Sequence, residues 1–234
     1  MVKLENINFS YGDKMVLEQF NLSLPQNKIV ALLGSTGSGK TTILRLIAGL
    51  EMPERGKIFI KNIIVSDNGK NILPPHKRKV GFVFQDLALW PHFNVFKNIT
   101  FGLNKNDKKS TFIKEIFEFF SLSDLKNKYP HQLSGGQQQM VAIARAMALN
   151  PEILLMDEPL ANLDVKLKHK ILEYIKRLRS RFGTTVIYVT HDHHEAFSIA
   201  DYVVVLNKGN IEASGTVEEI KMSNNEYVKF FLEY

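Results

Sequence analysis

Eight consecutive residues, Gly34-Ser35-Thr36-Gly37-Ser38-Gly39-Lys40-Thr41, hold the densest chemistry in the chain. They match G-x-x-x-x-G-K-[ST], a loop whose backbone N–H groups wrap phosphates at the positive end of the helix that follows. The glycines allow tight wrapping, Lys40 is suited to neutralise β- and γ-phosphate charge, and the Thr41 hydroxyl to ligate Mg²⁺. Thr42 extends the same nucleotide-binding stretch. A chance match in a chain this long is on the order of one per cent at average residue usage, so a Gly-rich turn with an incidental lysine is the weaker reading.

Further along, Ile153-Leu154-Leu155-Met156-Asp157-Glu158 is an apolar run that ends in two carboxylates. Asp157 is placed to hold Mg²⁺ through water, and Glu158 to orient or deprotonate an attacking water. Alone, such an ending reads as a surface terminus with a salt bridge; downstream of a phosphate loop the functional reading prevails. Leu133-Ser134-Gly135-Gly136-Gln137 precedes a helix with Met140, Ile143, Ala144 and Met147 on one face. A serine and two glycines there offer a second anion site, or simply an N-cap by Ser134 with flexible glycines.

These residues need elements to position them. Runs 29–33, 80–84, 153–156, 186–189 and 202–206 are continuously apolar and rich in β-branched residues, as strands buried on both faces of a parallel sheet must be. Four of them are followed closely by Gly34, Gln85, Asp157 and His191, and ligands bind outside the carboxyl ends of such strands, so the four should converge on one site. Helical periodicity marks Ile43, Leu46, Ile47 and Leu50, and again Leu167, Ile171, Ile175, Leu178 and Phe182 before Gly183. Before the loop, Leu4, Ile7, Phe9, Phe20, Leu22 and Leu24 read as antiparallel β broken at Tyr11-Gly12-Asp13, and 56–61 as a further strand. Residues 110–150 are helical. The expectation is one α/β domain over 1–234: a phosphate-loop core with mainly parallel sheet and an antiparallel β subdomain over about 1–85 and 151–234, and a helical subdomain over about 86–150.

Composition narrows the setting. Hydrophobic residues make up 44% and charged residues 23% of 234, the balance of an ordinary globular protein. No apolar run approaches the roughly 20 residues of a transmembrane helix, and the N-terminus lacks the apolar stretch of a signal peptide. The absence of cysteine excludes disulfides and thiolate sites, and the chain reads as cytosolic. The formal charge of +6 reads as solvated surface; the only concentrated basic run is His76-Lys77-Arg78-Lys79, without the aromatic pattern of an RNA-binding module. His193 and His194 read as solvated helix residues.

Taken in order, the phosphate loop, Gln85, Leu-Ser-Gly-Gly-Gln, the Asp157-Glu158 strand and His191 strongly resemble the ATP-binding cassette (ABC) ATPases, over essentially the whole chain. The resemblance implies ATP and Mg²⁺ as ligands and hydrolysis as the activity. It implies that Ser134, Gly135, Gly136 and Gln137 cap the γ-phosphate of ATP held by a second copy in a head-to-tail dimer. It further implies that Tyr11 stacks on adenine, that Gln85 senses Mg²⁺ and the attacking water, that His191 contacts the γ-phosphate and holds Glu158, and that residues 161–164 cross the dimer interface. Met140 stands where an arginine is common and Ala161 where a serine is frequent; the first implies a packing change, the second altered communication across the interface.

Within the family, Trp90-Pro91-His92 and residues 191–201 look closest to importer ATPases for sugars, polyamines, ferric iron, sulfate or related anions. That implies integral membrane permease subunits as partners, docking near the aromatic segment 85–96, an external substrate-binding protein beyond them, and a place on the cytoplasmic face of the membrane. The exposed aromatic residues of segment 85–96 read first as a partner site, with burial against the 110–150 helices nearly as good a reading. No nucleic-acid partner is expected; a soluble ABC ATPase of translation or repair is the competing class, and a simple phosphate-loop kinase would have no use for residues 133–137. The chain stops at Tyr234, about where many such importers begin a regulatory domain, so it either lacks one or belongs to a longer protein.

Overall fold

Strands with no polar face need cover on both sides, and in the computed structural model of this protein they form the middle of a six-stranded sheet. Residues 1–161 and 163–233 are described. The first half of the chain contains β1 (Val2–Tyr11), β2 (Lys14–Leu24), β3 (Ile29–Gly34), α1 (Lys40–Ala48), β4 (Arg55–Ile60), β5 (Ile63–Asp67), β6 (Lys70–Asn71) and β7 (Val80–Val83). Then come α2 (Val95–Thr100), α3 (Thr111–Phe119), α4 (Gly135–Met147), β8 (Ile153–Asp157) and α5 (Val165–Phe182). The last part holds β9 (Thr185–Thr190), α6 (His193–Ile199), β10 (Tyr202–Asn207), β11 (Asn210–Gly215), α7 (Val217–Lys221) and α8 (Glu226–Glu233).

The large sheet runs β11-β10-β3-β9-β8-β7, parallel throughout except for the β10–β11 hairpin. Every residue of β3, β8 and β9 is buried, which accounts for their unbroken apolar sequence. The smaller sheet, β2-β1-β4-β5-β6, is antiparallel. Its β1–β2 register slips where Asn6 and Gln19 take left-handed φ values of 48° and 44°.

One core joins the antiparallel sheet to α1 and one face of the large sheet, with Leu4, Ile7, Leu17, Leu44, Ile47 and Val189 among its members. A second core packs the α2–α5 helices on the opposite side; Met140 is buried in it, as a methionine filling an apolar stripe should be. The burial expected of segment 85–96 is seen at Trp90, beside exposed apolar residues that lie outside the segment. Trp90 is half-buried, with Phe93 and Phe101 rings at 5.7 and 4.8 Å and the Arg145 guanidinium 5.0 Å over its face, while Phe101 stays 58% and Leu149 62% exposed. Leu87 and Ala88 are consecutive left-handed residues whose carbonyls both accept from Arg145 of α4, at 2.7 and 2.6 Å.

The basic run 76–79 is not the uniformly solvated cluster its composition suggests. Arg78 is 3% exposed and donates to Leu46 O, Ile47 O, Leu73 O and Val65 O, to Ser66 Oγ and to Asn71 Oδ1, tying the end of α1 to the antiparallel sheet. Charge alone does not reveal this, because a guanidinium with enough acceptors can be buried where an ammonium cannot. His194 is exposed as expected, whereas His193 is half-buried 6.0 Å from the Phe197 ring.

Candidate functional site

The loop between β3 and α1 is shaped by backbone freedom at its end. Gly39 precedes α1 at φ 101°, a conformation costly for any other residue, and no side chain caps the helix there. The first-turn N–H groups of α1 are thereby left facing the loop's concave side, as an anion requires. Lys40 is 5% exposed and its Nζ donates to Gly34 O at 2.8 Å and Ser35 O at 2.9 Å, which folds it back over the loop. Burial lowers its pKa, while Glu158 and Asp157 act in the opposite sense.

Across from it, Asp157 ends β8 and accepts a hydrogen bond from Thr41 Oγ1 at 2.8 Å. Burial raises its pKa despite that bond. Glu158 follows at φ 43°, a left-handed residue held by its N–H to Val189 O at 3.1 Å, and the turn aims its carboxylate out of the sheet. His191 Nδ1 lies 3.4 Å from Glu158 Oε2. The ends of β3, β8 and β9 therefore meet as parallel neighbours should.

Lys40, Thr41 and Glu158 line a cleft of about 580 Å³ together with Thr36, Gly37, Gly39, Thr42, Gln85 and, from the antiparallel sheet, Tyr11, while Asp157 and His191 reach it only through Thr41 and Glu158. Tyr11 is 43% exposed and packs edge-on against Phe9 at 4.8 Å, leaving an open ring at the rim. Gly34, Ser35 and Ser38 stand behind the cleft and shape it. Lys14, Met15, Val16 and Lys208 complete the wall, and sequence reasoning passed over them because they come from two hairpins distant in the chain. Gly209, in the β10–β11 turn at φ 81°, donates its N–H to Ser38 O at 3.1 Å; a Cβ there would lie 2.2 Å from Val16 O, so this turn is wedged against the loop.

Residues 134–137 are elsewhere. Ser134 is the N-cap of α4: its Oγ accepts from Gln137 N at 3.4 Å, and Gln137 Oε1 accepts from Ser134 N at 3.0 Å. Ser134 and Gly135 are exposed, and Ser134, Gly136 and Gln137 line a separate hollow of about 330 Å³ with Lys170 and Tyr174. Asp164 caps α5 by accepting from Leu167 N at 2.9 Å, Ala161 and Leu163 are half-buried, and Asn162 lies outside the described residues. A further cavity of about 430 Å³ lies at the opposite ends of the strands and holds none of the site residues; Glu152 there is paired with Lys61 at 2.9 Å and Lys79 at 3.4 Å.

A glycine-rich loop between a buried parallel strand and a helix, with an acidic strand end hydrogen-bonded to it and a Ser-Gly-Gly-Gln helix start on another surface, defines a phosphate-loop α/β nucleotide-binding cassette. The chain belongs to the ABC transporter family, whose model matches residues 17–161. It is 42% identical, over 99% of its length, to the spermidine/putrescine import ATP-binding protein PotA of Clostridium acetobutylicum. It is 41% identical, over 99% of its length, to the sulfate/thiosulfate import ATP-binding protein CysA of Neisseria meningitidis. The chain spans 66% of the length of each of these relatives. Among solved structures it resembles cbiO1 from Clostridium perfringens, part of the ABC transporter complex cbiONQ, with a TM-score of 0.85 at 28% identity over 99% of this chain and 94% of that one. It also resembles the dimeric post-hydrolysis state of the ATP-binding cassette MJ0796 bound to ADP and Pi, with a TM-score of 0.78 at 33% identity over 93% of this chain and 99% of that one.

Proposed function

We propose that the chain is the ATP-binding and ATP-hydrolysing subunit of a membrane importer and works as a head-to-tail pair with two ATPs between the copies. One observation carries the proposal. A single chain gathers the phosphate loop, Asp157, Glu158, His191 and Gln85 at one mouth, yet leaves Ser134, Gly135, Gly136 and Gln137 on a different surface. A second copy brought head to tail supplies those four to the open side of the cleft. The solved dimer with ADP and Pi and the import proteins among the relatives support the same reading.

In this reading Tyr11 stacks on adenine, and the first-turn N–H groups of α1 hold the phosphates. Lys40 exchanges its two backbone acceptors for β- and γ-phosphate oxygens. Thr41 Oγ1 and Asp157 fit Mg²⁺: both are hard oxygens, and the buried carboxylate gains from a cation. No group of three or more His, Cys, Asp or Glu side chains that could hold a metal exists among the described residues, which suits an ion that keeps waters and phosphate oxygens. When bound, with Gln85 at its edge, the ion would offset charge on the phosphate oxygens. Glu158 orients or deprotonates the attacking water, and His191 holds the Glu158 carboxylate while its other ring nitrogen reaches the γ-phosphate.

No helix among the described residues is long and apolar enough to cross a membrane. On the strength of the import ATP-binding relatives, the chain in this reading acts at the cytoplasmic face through permease subunits seated beside Gln85 on Trp90, Phe93, Phe101 and Leu149, with an external binding protein delivering cargo. Relatives named for a polycation and for an inorganic dianion match at 42% and 41% identity, which supports a reading in which cargo is chosen outside this subunit.

The test is Glu158→Gln. It should bind ATP as the parent does, hydrolyse it roughly 10²–10⁴-fold more slowly, as loss of a general base does, and elute as a dimer with Mg-ATP on gel filtration. A variant that stays monomeric at saturating Mg-ATP, or hydrolyses at the parent rate, would defeat the assignment. Recovery with nucleic acid, and never with a polytopic membrane protein, would favour the soluble ABC class instead.

A further inference from the structure

A carboxylate is rarely buried unless donors surround it. Glu195 is 8% exposed, and its oxygens accept from Tyr188 OH at 2.9 Å, Thr190 Oγ1 at 3.0 Å and Lys168 Nζ at 2.6 Å. Burial and the neighbouring carboxylate hold the Tyr188 phenol well above its usual range, so it remains a donor. The donors come from two elements. Tyr188 and Thr190 are at the end of β9, which delivers His191; Lys168 is in the first turn of α5, which Asp164 caps.

The loop between β9 and α6 closes on itself around the histidine. Thr190 Oγ1, while donating to Glu195, accepts from Asp192 N at 3.0 Å, and Asp192 Oδ1 accepts from the N–H groups of His194 at 2.8 Å and Glu195 at 3.1 Å. His191 is itself exposed, so the ring of bonds on both sides of it, rather than packing of its imidazole, sets its place 3.4 Å from Glu158.

We propose that Glu195 is a positioning residue for hydrolysis: it holds His191 against Glu158 and, through Lys168, ties that histidine to the helix that Asp164 starts. The inference rests on the ATPase reading above. A change at the start of α5, where the chain leaves residues 161–164, then pulls on Lys168, on the Glu195 carboxylate and, through Thr190, on His191. Buried in this way, Glu195 does not touch nucleotide; it acts through the loop it braces.

The test pairs Glu195→Gln, which keeps size but forfeits the charge held by Lys168, with Lys168→Met, a change at a partly exposed side chain that leaves the core alone. Each should lower kcat for ATP roughly tenfold to a hundredfold, as small misplacements of a reacting group do, with KM for ATP within about threefold of the parent. In a His191→Ala background neither should lower the residual rate further. Amide hydrogen exchange of residues 190–195 should quicken in both, a readout that needs no activity. Parent-like rates in both variants, equal fold-losses with and without His191, or unchanged exchange would overturn the proposal. A parent chain without ATPase activity would instead defeat the function proposed above, while the exchange measurement still decides whether Glu195 holds the loop.

Discussion

Replacing Arg78 by leucine would remove a guanidinium that is 3% exposed and turn an apolar side chain toward its six acceptors. Burial pushes its pKa down to about 10, so it is charged at neutral pH, opposite the carbonyls that end α1. Four of the acceptors keep another partner. Leu46 O accepts from Gly49 N at 3.1 Å, Val65 O from the N–H groups of Ile72 and Leu73, each at 3.1 Å, and Ser66 Oγ donates to Asn71 Oδ1 at 3.2 Å. Ile47 O and Leu73 O have no second donor shown among the described residues. Two stranded acceptors at about 1–3 kcal/mol each put the loss near 2–6 kcal/mol. Urea unfolding followed by Trp90 fluorescence measures it, and melting should fall by roughly 2–4 °C per kcal/mol in a chain of this size. Lysine at 78 should recover little, because three donors on a compact ammonium cannot fork to acceptors on both sides. A loss under about 1 kcal/mol, or full recovery by lysine, would refute the reasoning.

Two other substitutions probe the cleft. Burial raises the Asp157 pKa, so stability from its neutral form is present below the unfolded pKa and lost as pH rises through the folded one. Asp157→Asn should therefore melt higher than the parent at pH 7 without nucleotide, yet lose the extra stabilisation that Mg²⁺ adds to ATP; a parent-sized Mg²⁺ shift would contradict this. Gly209→Ala puts a Cβ 2.2 Å from Val16 O at φ 81° and should cost about 1 kcal/mol or more, weakening ATP binding as the Ser38 contact is lost. Fluorescent-nucleotide titration reads the second effect, and unchanged affinity would show that the turn does not brace the loop.

What could be seen in advance was what lies contiguous in the chain. β3, β8 and β9 are buried on both faces, so their composition announces them, and residues 34–41 and 157–158 are short enough to be met as single motifs. β5, β6, β11, α7 and α8 are short and half-exposed, and carry no such run. Their hairpin turns did carry a signal, since Asn68-Gly69 and Lys208-Gly209 are paired left-handed residues of the kind two-residue turns demand. Lys14, Val16 and Lys208 join the cleft only through tertiary packing. Arg78 hides within a basic run and Glu195 beside two histidines, and in both cases partners far along the chain decide burial.

The separation of the phosphate loop from residues 134–137 on one chain has a genetic corollary if copies pair head to tail. Consider a copy crippled at Lys40 and another crippled at Ser134, each inactive when paired with itself. In the mixed pair the first copy's damaged loop faces the second copy's damaged helix start, so both lesions fall in one compartment. The other compartment is built from an intact loop and an intact helix start. Two null alleles of this subunit would thus complement within a single pair, whereas two alleles that both damage the loop would not.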